Sequence, residues 1–405
     1  MKYNIGELAV IIDGDRGKNY PKQNEFYENE YCLFLDASNV TSDGFVFEST
    51  HFITKEKDEL LRNGRLQRGD IVYTTRGTVG NAAYYCDSVP YDAVRINSGM
   101  VILRCKRDLV DEIFLYHVLK SDYYRPYFKS FCTGSAQPQL PIRNFSKIEM
   151  EVPSLNIQHR IGSILSAYDN LIKNNQKQIK LLEEVAHRLY KEWFIDLRFP
   201  GYEDTEIIDG VPEGWKKQRI SSLGEIITGK TPSTANEQYY GGNIPFVKIP
   251  DMHNCVYPIK TEVTLTAEGA NTQKNKFIPK DSIMISCIAT VGLVNIAVEP
   301  CQTNQQINSI IVNKEQDLYY VYSTMKRLKE LLEGVGSNGA TMTNVNKTKF
   351  GNLEVFYPTE ELRKRYFEFC EPLFKKILTL SVSNRKLSQA RDRLLPKLMS
   401  GELEV

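Results

Sequence analysis

The chain has little of what most directly announces chemistry. It holds five histidines in 405 residues, at positions 51, 117, 159, 187 and 253. None stands in an H-E-x-x-H string or beside a cysteine pair, which argues against a zinc hydrolase site. Its eight cysteines form no C-x-x-C pair, so neither a zinc ribbon nor a dense disulfide scaffold is expected, and reduced thiols are. No Pro-Pro dipeptide occurs, which removes the Asn/Asp-Pro-Pro-aromatic turn expected of an amino-methyltransferase. Apolar runs such as Ile283 to Ile285 and Ile307 to Val312 fall far short of the ~20 residues a membrane span needs. Met1 to Leu8 lacks an apolar leader core, so a soluble, cytoplasmic protein without membrane partners is expected. Charge of one sign is missing too: 51 basic and 50 acidic residues leave a net +1. That excludes an unspecific polybasic binder and permits a protein whose positive charge gathers on one face.

What is present is a repeat. Ile5-Gly6-Glu7-Leu8 is answered by Ile220-Ser221-Ser222-Leu223, and Gly69-Asp70-Ile71-Val72 by Lys280-Asp281-Ser282-Ile283. Thr78-Val79-Gly80 recurs as Thr290-Val291-Gly292, and Ile96-Asn97-Ser98 as Ile307-Asn308-Ser309. Phe145 and Pro153 match Phe350 and Pro358. Five ordered matches predict two copies of one plan. In each copy, short β-branched runs (Asp70 to Thr75, Met100 to Cys105, Ser282 to Cys287, Ser309 to Asn313) predict strands of an α+β domain. Helices are predicted at Val110 to Leu119 and Leu318 to Glu333. Each precedes a polar loop, Thr133 to Gln139 and Gly334 to Asn346.

Each copy then changes character after its proline. From Ile157 to Phe194 there is no proline and one glycine, Gly162. Apolar residues recur at three- and four-residue spacing: Ile161, Ile164, Tyr168, Leu171, Leu182, Val185 and Leu189. A second row is Leu165, Ile172, Ile179, Ala186 and Trp193. Tyr366, Phe369, Leu373, Leu380, Leu387, Ala390 and Leu394 repeat the pattern. A helix of about 38 residues rises about 57 Å, which reads as coiled coil. Asn175 and Gln178 interrupt the seam, either as a tolerated polar pair or as one that fixes register. The predicted order is a first globular domain over 1–154, a long helix over 155–196, a linker over 197–214, a second globular domain over 215–358 and a C-terminal helix over 359–405. The linker is marked by Pro200, Gly201, Glu203, Asp204, Asp209, Gly210 and Pro212.

This alternation resembles the specificity subunit of type I restriction–modification systems. Val211-Pro212-Glu213-Gly214-Trp215, followed by Gly229-Lys230-Thr231-Pro232, resembles the opening of that family's target recognition domain. Tyr190-Lys191-Glu192-Trp193-Phe194 resembles the end of its central helix, and Asn304-Gln305-Gln306-Ile307-Asn308 a recurring internal segment. Arg393 to Leu403 is similar to its C-terminal signature. The first domain departs from the pattern, with Gly14-Asp15-Arg16-Gly17-Lys18 in place of the Gly-Lys-Thr-Pro element. The resemblance implies two tandem target recognition domains, each followed by a long helix, with the helices packed as an antiparallel coiled coil. It implies that each domain reads one half of a bipartite, asymmetric site on double-stranded DNA, and that the helices dock two modification subunits. The chain itself would be non-catalytic and without cofactor. S-adenosylmethionine would sit on the modification partners, and ATP and Mg on restriction partners.

Gly224-Glu225-Ile226-Ile227-Thr228-Gly229-Lys230-Thr231 also fits the P-loop string. The preceding Lys216 to Ser222 is too polar for a buried strand, Ile226 and Ile227 resist wrapping a phosphate, and Pro232 follows at once, so nucleotide binding is not expected there. A stand-alone nucleotide- or S-adenosylmethionine-using enzyme acting on DNA is the rival reading. The candidate DNA-contacting residues combine guanidinium, amide, ammonium and hydroxyl groups able to meet base edges and phosphates. In the first domain they are Lys18, Asn19, Thr75, Arg76, Asn81, Gln137, Gln139 and Arg143. In the second they are Lys230, Thr231, Lys248, Gln305, Asn338, Thr341, Thr343, Asn344 and Lys347. Ile172, Ile179, Trp193, Phe194, Ile377 and Leu398 are the expected spare apolar surface for partner helices.

Overall fold

A computed structural model of the chain describes residues 1–134, 138–328, 330 and 345–404. It divides into two compact units, Met1–Ile172 with Leu387–Val405, and Lys173–Lys386.

In the first unit a four-stranded antiparallel sheet runs in the order Ala9–Asp13, Met100–Cys105, Ile71–Thr74, Ala82–Tyr84. Ile71–Thr74 is buried along its whole length, which is why its run of Ile-Val-Tyr-Thr does not alternate with polar residues. A three-stranded sheet joins Phe52–Ile53, Cys32–Leu35 and Val94–Ile96, the last pair parallel. Lys2–Asn4 pairs with Glu149–Glu151, bringing the two ends of the domain together. Helix Glu112–Lys120 starts at Asp111, whose carboxylate accepts the Phe114 N–H, and buries Phe114, Leu115, Val118 and Leu119.

The second unit repeats the order and direction of these three sheets. Its four-stranded sheet runs Gly224–Thr228, Ile307–Val312, Ile283–Ser286, Val294–Ile296. Its three-stranded sheet joins Val263–Leu265, Tyr240–Val247 and Gln302–Thr303, again with one parallel pair. Lys216–Arg219 pairs with Glu354–Tyr357. The repeat is real, but two of its residue matches shift. Gly69 and Asp281 are the true counterparts. Both have positive φ, and each amide donates to the residue at the same place on the neighbouring strand, Tyr85 and Ala297. Asn97 corresponds to Asn304, not to Asn308. Each carbonyl-side amide oxygen accepts the N–H two residues on, and each N–H meets the end of the parallel strand, Leu35 and Val247.

The helices span Leu155–Phe194 and Glu360–Ser400, of 40 and 41 residues. Each contributes one stretch to each unit. In the first unit Ile161 and Leu165 share a core with Leu395 and Leu398. In the second unit Asn175 Nδ2 donates to Asn384 Oδ1 at 2.8 Å, and Tyr366 donates to the Ala186 carbonyl at 3.2 Å, so the two helices run antiparallel there. Asn175 is 5% exposed, and its hydrogen bond to Asn384 satisfies the polar position in the seam.

The apolar surface on the helices differs from the expectation. Ile172 is buried, Phe194 and Ile377 lie in the second unit's core and Leu398 in the first unit's, and Ile179 and Trp193 pack against the second unit's core. The stripe is wide because part of it packs on a globular domain: Tyr190 and Phe194 meet Tyr320, tilted and edge-on respectively, and both meet Tyr366 of the C-terminal helix edge-on. The apolar helix residues left exposed are Ile157, Ile164 and Leu171, one every second turn, together with Leu181, Val185 and Phe369.

Candidate nucleic-acid interface

In the first unit three turns meet at one end of the four-stranded sheet. Strand Ala9–Asp13 leaves through Gly14, where an added Cβ would lie 2.2 Å from the Asn97 carbonyl oxygen, so only glycine fits. Asp15 then turns the chain. Its carboxylate accepts the N–H of Gly17 at 2.6 Å and of Arg62 at 2.7 Å. Burial opposes its ionisation, but these two N–H groups and the Arg62 guanidinium hold it below the usual carboxylate range. Arg16 projects beside Ser98, donating to its carbonyl at 3.3 Å and to Asp13 at 3.1 Å. The second turn follows strand Ile71–Thr74: Thr75 and Arg76 both donate N–H to the Gly99 carbonyl, and Thr74 Oγ1 accepts the Asn81 N–H at 2.9 Å. The third is the Thr133/Gln139 loop, bridged to Arg76 and tied down by the Leu140 N–H to the Thr75 carbonyl.

The second unit builds the same cluster. Gly229 takes the place of Gly14, with an added Cβ 2.2 Å from the Asn304 carbonyl oxygen. The Lys230 N–H donates to Thr303, and its carbonyl accepts Gln273 Nε2 at 2.6 Å. Thr231 donates to the Gln305 side chain at 2.7 Å. Cys287 donates N–H to Gln306 and accepts the Val345 N–H, as Thr75 does with Gly99 and Leu140. Burial pushes the Cys287 thiol up to about 11, so it is no nucleophile at neutral pH. Gly224–Thr228 is an extended strand and no helix begins at Lys230, so the P-loop string has neither of the contexts phosphate binding needs. Gly334 to Gly339 spell a G-x-G-x-x-G string that lies outside the described residues; the described residues leading to it, from Leu318 on, are helical or turn rather than strand.

Of the expected contact residues, Lys18, Arg143, Lys230, Gln305 and Lys347 are exposed, and Arg76, Thr231 and Gln139 half-exposed. Four others are tied into the scaffold. Thr75 is 4% exposed and gives its hydroxyl to Gly99, and Asn81 is 8% exposed and gives its amide to the Val40 carbonyl. Asn19 donates to the Leu60 carbonyl, and Lys248 faces Glu262 at 3.8 Å. Thr75 and Asn81 thus close turns instead of presenting free donors, Asn19 ties two loops together, and Lys248 makes a surface ion pair. Gln137, Asn338, Thr341, Thr343 and Asn344 lie outside the described residues. Arg16, absent from the expected set, is exposed at the centre of the first cluster; its place next to the turn-forming Gly14-Asp15 was the available signal.

Among the described residues no group of three or more His, Cys, Asp or Glu side chains is arranged to hold a metal. No described helix is long and apolar enough to cross a membrane.

Two copies of one α+β domain, each followed by a long helix, with a polar turn cluster at the same sheet end, define a tandem recognition protein. The family model for the type I restriction modification DNA specificity domain matches residues 1–184 and 212–387, and the chain belongs to that family. It is similar to the type I restriction enzyme HindI specificity subunit of Haemophilus influenzae, at 29% identity over 96% of this chain and 98% of that one. A type I restriction enzyme MjaIX specificity subunit of Methanocaldococcus jannaschii is 27% identical over 84% of this chain and 78% of its own length. The fold is that of the S subunit of a type I restriction-modification system from M. genitalium: TM-score 0.56 at 14% identity, covering 98% of this chain and 95% of that one.

Proposed function

We propose that the chain reads a split, asymmetric sequence on double-stranded DNA, one half-site per globular unit. The observation that carries this is one scaffold with two different sets of side chains. Gly14 and Gly229, Asn97 and Asn304, and Gly80 and Gly292 hold corresponding turns in the two units. On those turns Asp15 stands where the other unit has Lys230, Arg16 where it has Thr231, and Ser98 where it has Gln305. Equal frames with unequal donors and acceptors suit two different base sequences. The chain performs no chemistry in this reading. S-adenosylmethionine belongs to two modification subunits, and ATP with Mg to restriction subunits. The exposed apolar residues Ile157, Ile164, Leu171, Leu181, Val185 and Phe369 are the helix surface offered to those partners.

The test is to map modified adenines in DNA from cells expressing this chain with its partners, then to exchange Met1 to Pro153 for the counterpart from a relative. One half-site should change and the other stay. A change in both, or in neither, overturns the assignment. Binding of S-adenosylmethionine or ATP by the purified chain would favour the stand-alone enzyme instead.

A further inference from the structure

The turn after the central strand is the most closely matched feature of the two units. Thr74 and Ser286 each accept, through the side-chain oxygen, the N–H that closes the turn, from Asn81 at 2.9 Å and Leu293 at 2.8 Å. Gly80 and Gly292 donate N–H back to Thr74 and Ser286, at 3.1 and 3.0 Å. Val79 and Val291 plug the turn from below, 7% and 5% exposed. Gly77 and Ala289 take the same left-handed conformation at the tip, with φ of 71° and 63°. The frame therefore pairs the two residues just before the tip, Arg76 and Ile288.

Ile288 is half-exposed, next to the exposed Ala289 and Thr290, and it joins none of the hydrophobic clusters of the described residues. Its neighbours Cys287 and Val291 supply the packing on the inner side of the turn. A β-branched apolar residue is an unusual choice at a turn tip, where a polar side chain would be hydrated without cost. Its place is beside Gln305-Gln306, across the Cys287 N–H to Gln306 carbonyl bond of 2.8 Å, among the groups assigned above to base contact. An apolar side chain reads DNA in one direct way: by contact with the C5 methyl that thymine alone presents in the major groove.

We infer that Ile288 reads a thymine methyl in the half-site of the second unit, where the corresponding Arg76 of the first unit offers hydrogen-bond donors. The inference rests on the half-site reading proposed above and adds to it the base and the atom recognised. Both turn tips are then specificity-determining residues on a common frame.

The experiment uses the chain assembled with its partners and duplexes carrying its mapped target. Exchanging residues 215–358 for a relative's first identifies which half-site the second unit reads. Each thymine of that half-site is then replaced singly by deoxyuridine, which lacks only the methyl. One position should weaken binding about three- to tenfold. In Ile288→Ala the same replacement should have no effect, while Ile288→Val keeps part of it. Melting curves of both variants identify any loss of folding, and Ile288→Val, which keeps the apolar branch, supplies the comparison if alanine is not tolerated. A half-site without thymine, or a deoxyuridine effect that persists unchanged in both variants, overturns the inference and leaves the half-site reading standing. An exchange of 215–358 that alters neither half-site overturns that reading itself.

Discussion

Asp169 to asparagine should loosen the first unit, because this buried carboxylate holds two cations that come from two different helices. It is 7% exposed on the central helix. Lys120, from the end of helix Glu112–Lys120, reaches it at 3.0 Å, and the guanidinium of Arg391, from the C-terminal helix, bonds its other oxygen. His117 Nδ1 lies 4.0 Å away. Removing one member of a fully buried ion pair costs about 3–5 kcal/mol, chiefly because the partner is left charged and desolvated. Here Arg391 keeps Asp392, whose carboxylate it meets at 2.9 and 3.0 Å, so the stranded group is Lys120 and the expected loss is about 2–4 kcal/mol. For a unit of this size each kcal/mol moves the melting temperature by roughly 2–4 °C, so a fall of about 5–15 °C is expected.

Calorimetry of the full chain reads this directly, and pH adds a second axis. Burial opposes ionisation of Asp169, yet Lys120 and Arg391 outweigh it and hold its pKa below the ordinary value. A carboxylate lowered in the folded state stabilises above its unfolded pKa of about 3.9, and that contribution disappears as pH falls through the folded value. The gap between wild type and Asp169→Asn should therefore be full near neutrality and close in acid. Adding Lys120→Met to Asp169→Asn should recover part of the loss by removing the stranded ammonium. A melt within a degree of wild type, or a gap that stays constant into acid, would refute the argument.

Truncation after Lys386 should destabilise the first unit although the cut is remote in sequence. It removes Leu395 and Leu398 from that core, about 3–6 kcal/mol for two buried leucines, and an unchanged urea midpoint would count against this packing. Ala289→Gly should raise the stability of the second unit by about 1 kcal/mol, since an L-residue at φ 63° carries strain that glycine lacks; a lower melting temperature would show the Cβ has a packing role. Arg76→Ala should weaken specific binding by about 1–3 kcal/mol and relax one position of the first half-site; unchanged selectivity with a shallower salt dependence would assign it to phosphate.

The two-copy plan was legible because strands buried on both faces leave uninterrupted β-branched runs, and because Thr-Val-Gly marks a turn whose glycine must take positive φ. Met100–Cys105 falls where its run of residues placed it, and the four-strand core of each unit follows. Register within the repeat was less legible. Matching Asp70 with Asp281 favoured identity, whereas the backbone equates Gly69 with Asp281, because aspartate is among the few residues besides glycine that tolerate the left-handed region. The two Ile-Asn-Ser strings look like one feature and are two. The first crosses the end of a parallel strand, and the second begins the central antiparallel one.

The same physics separates scaffold from contact residues, and it runs against intuition from sequence. A polar side chain at a strand end reads as a free hydrogen-bonding group, yet a tight turn has its own unpaired N–H and C=O groups to satisfy. Thr75 and Asn81 meet that need, as do Asn308, which donates to the Val345 carbonyl, and Asn97 and Asn304, which accept from the backbone. Their chemistry is consumed inside the fold. What remains for a ligand are side chains whose backbone is held by others: Arg16 beyond the Asp15 turn, Arg76 and Ile288 beside their left-handed tips, and Lys230 with both its N–H and C=O already bonded. A residue free to change without disturbing its turn is one that can vary the sequence read while the frame persists. That is why the two units coincide at Gly14 and Gly229 and differ at the second residue after each, Arg16 and Thr231.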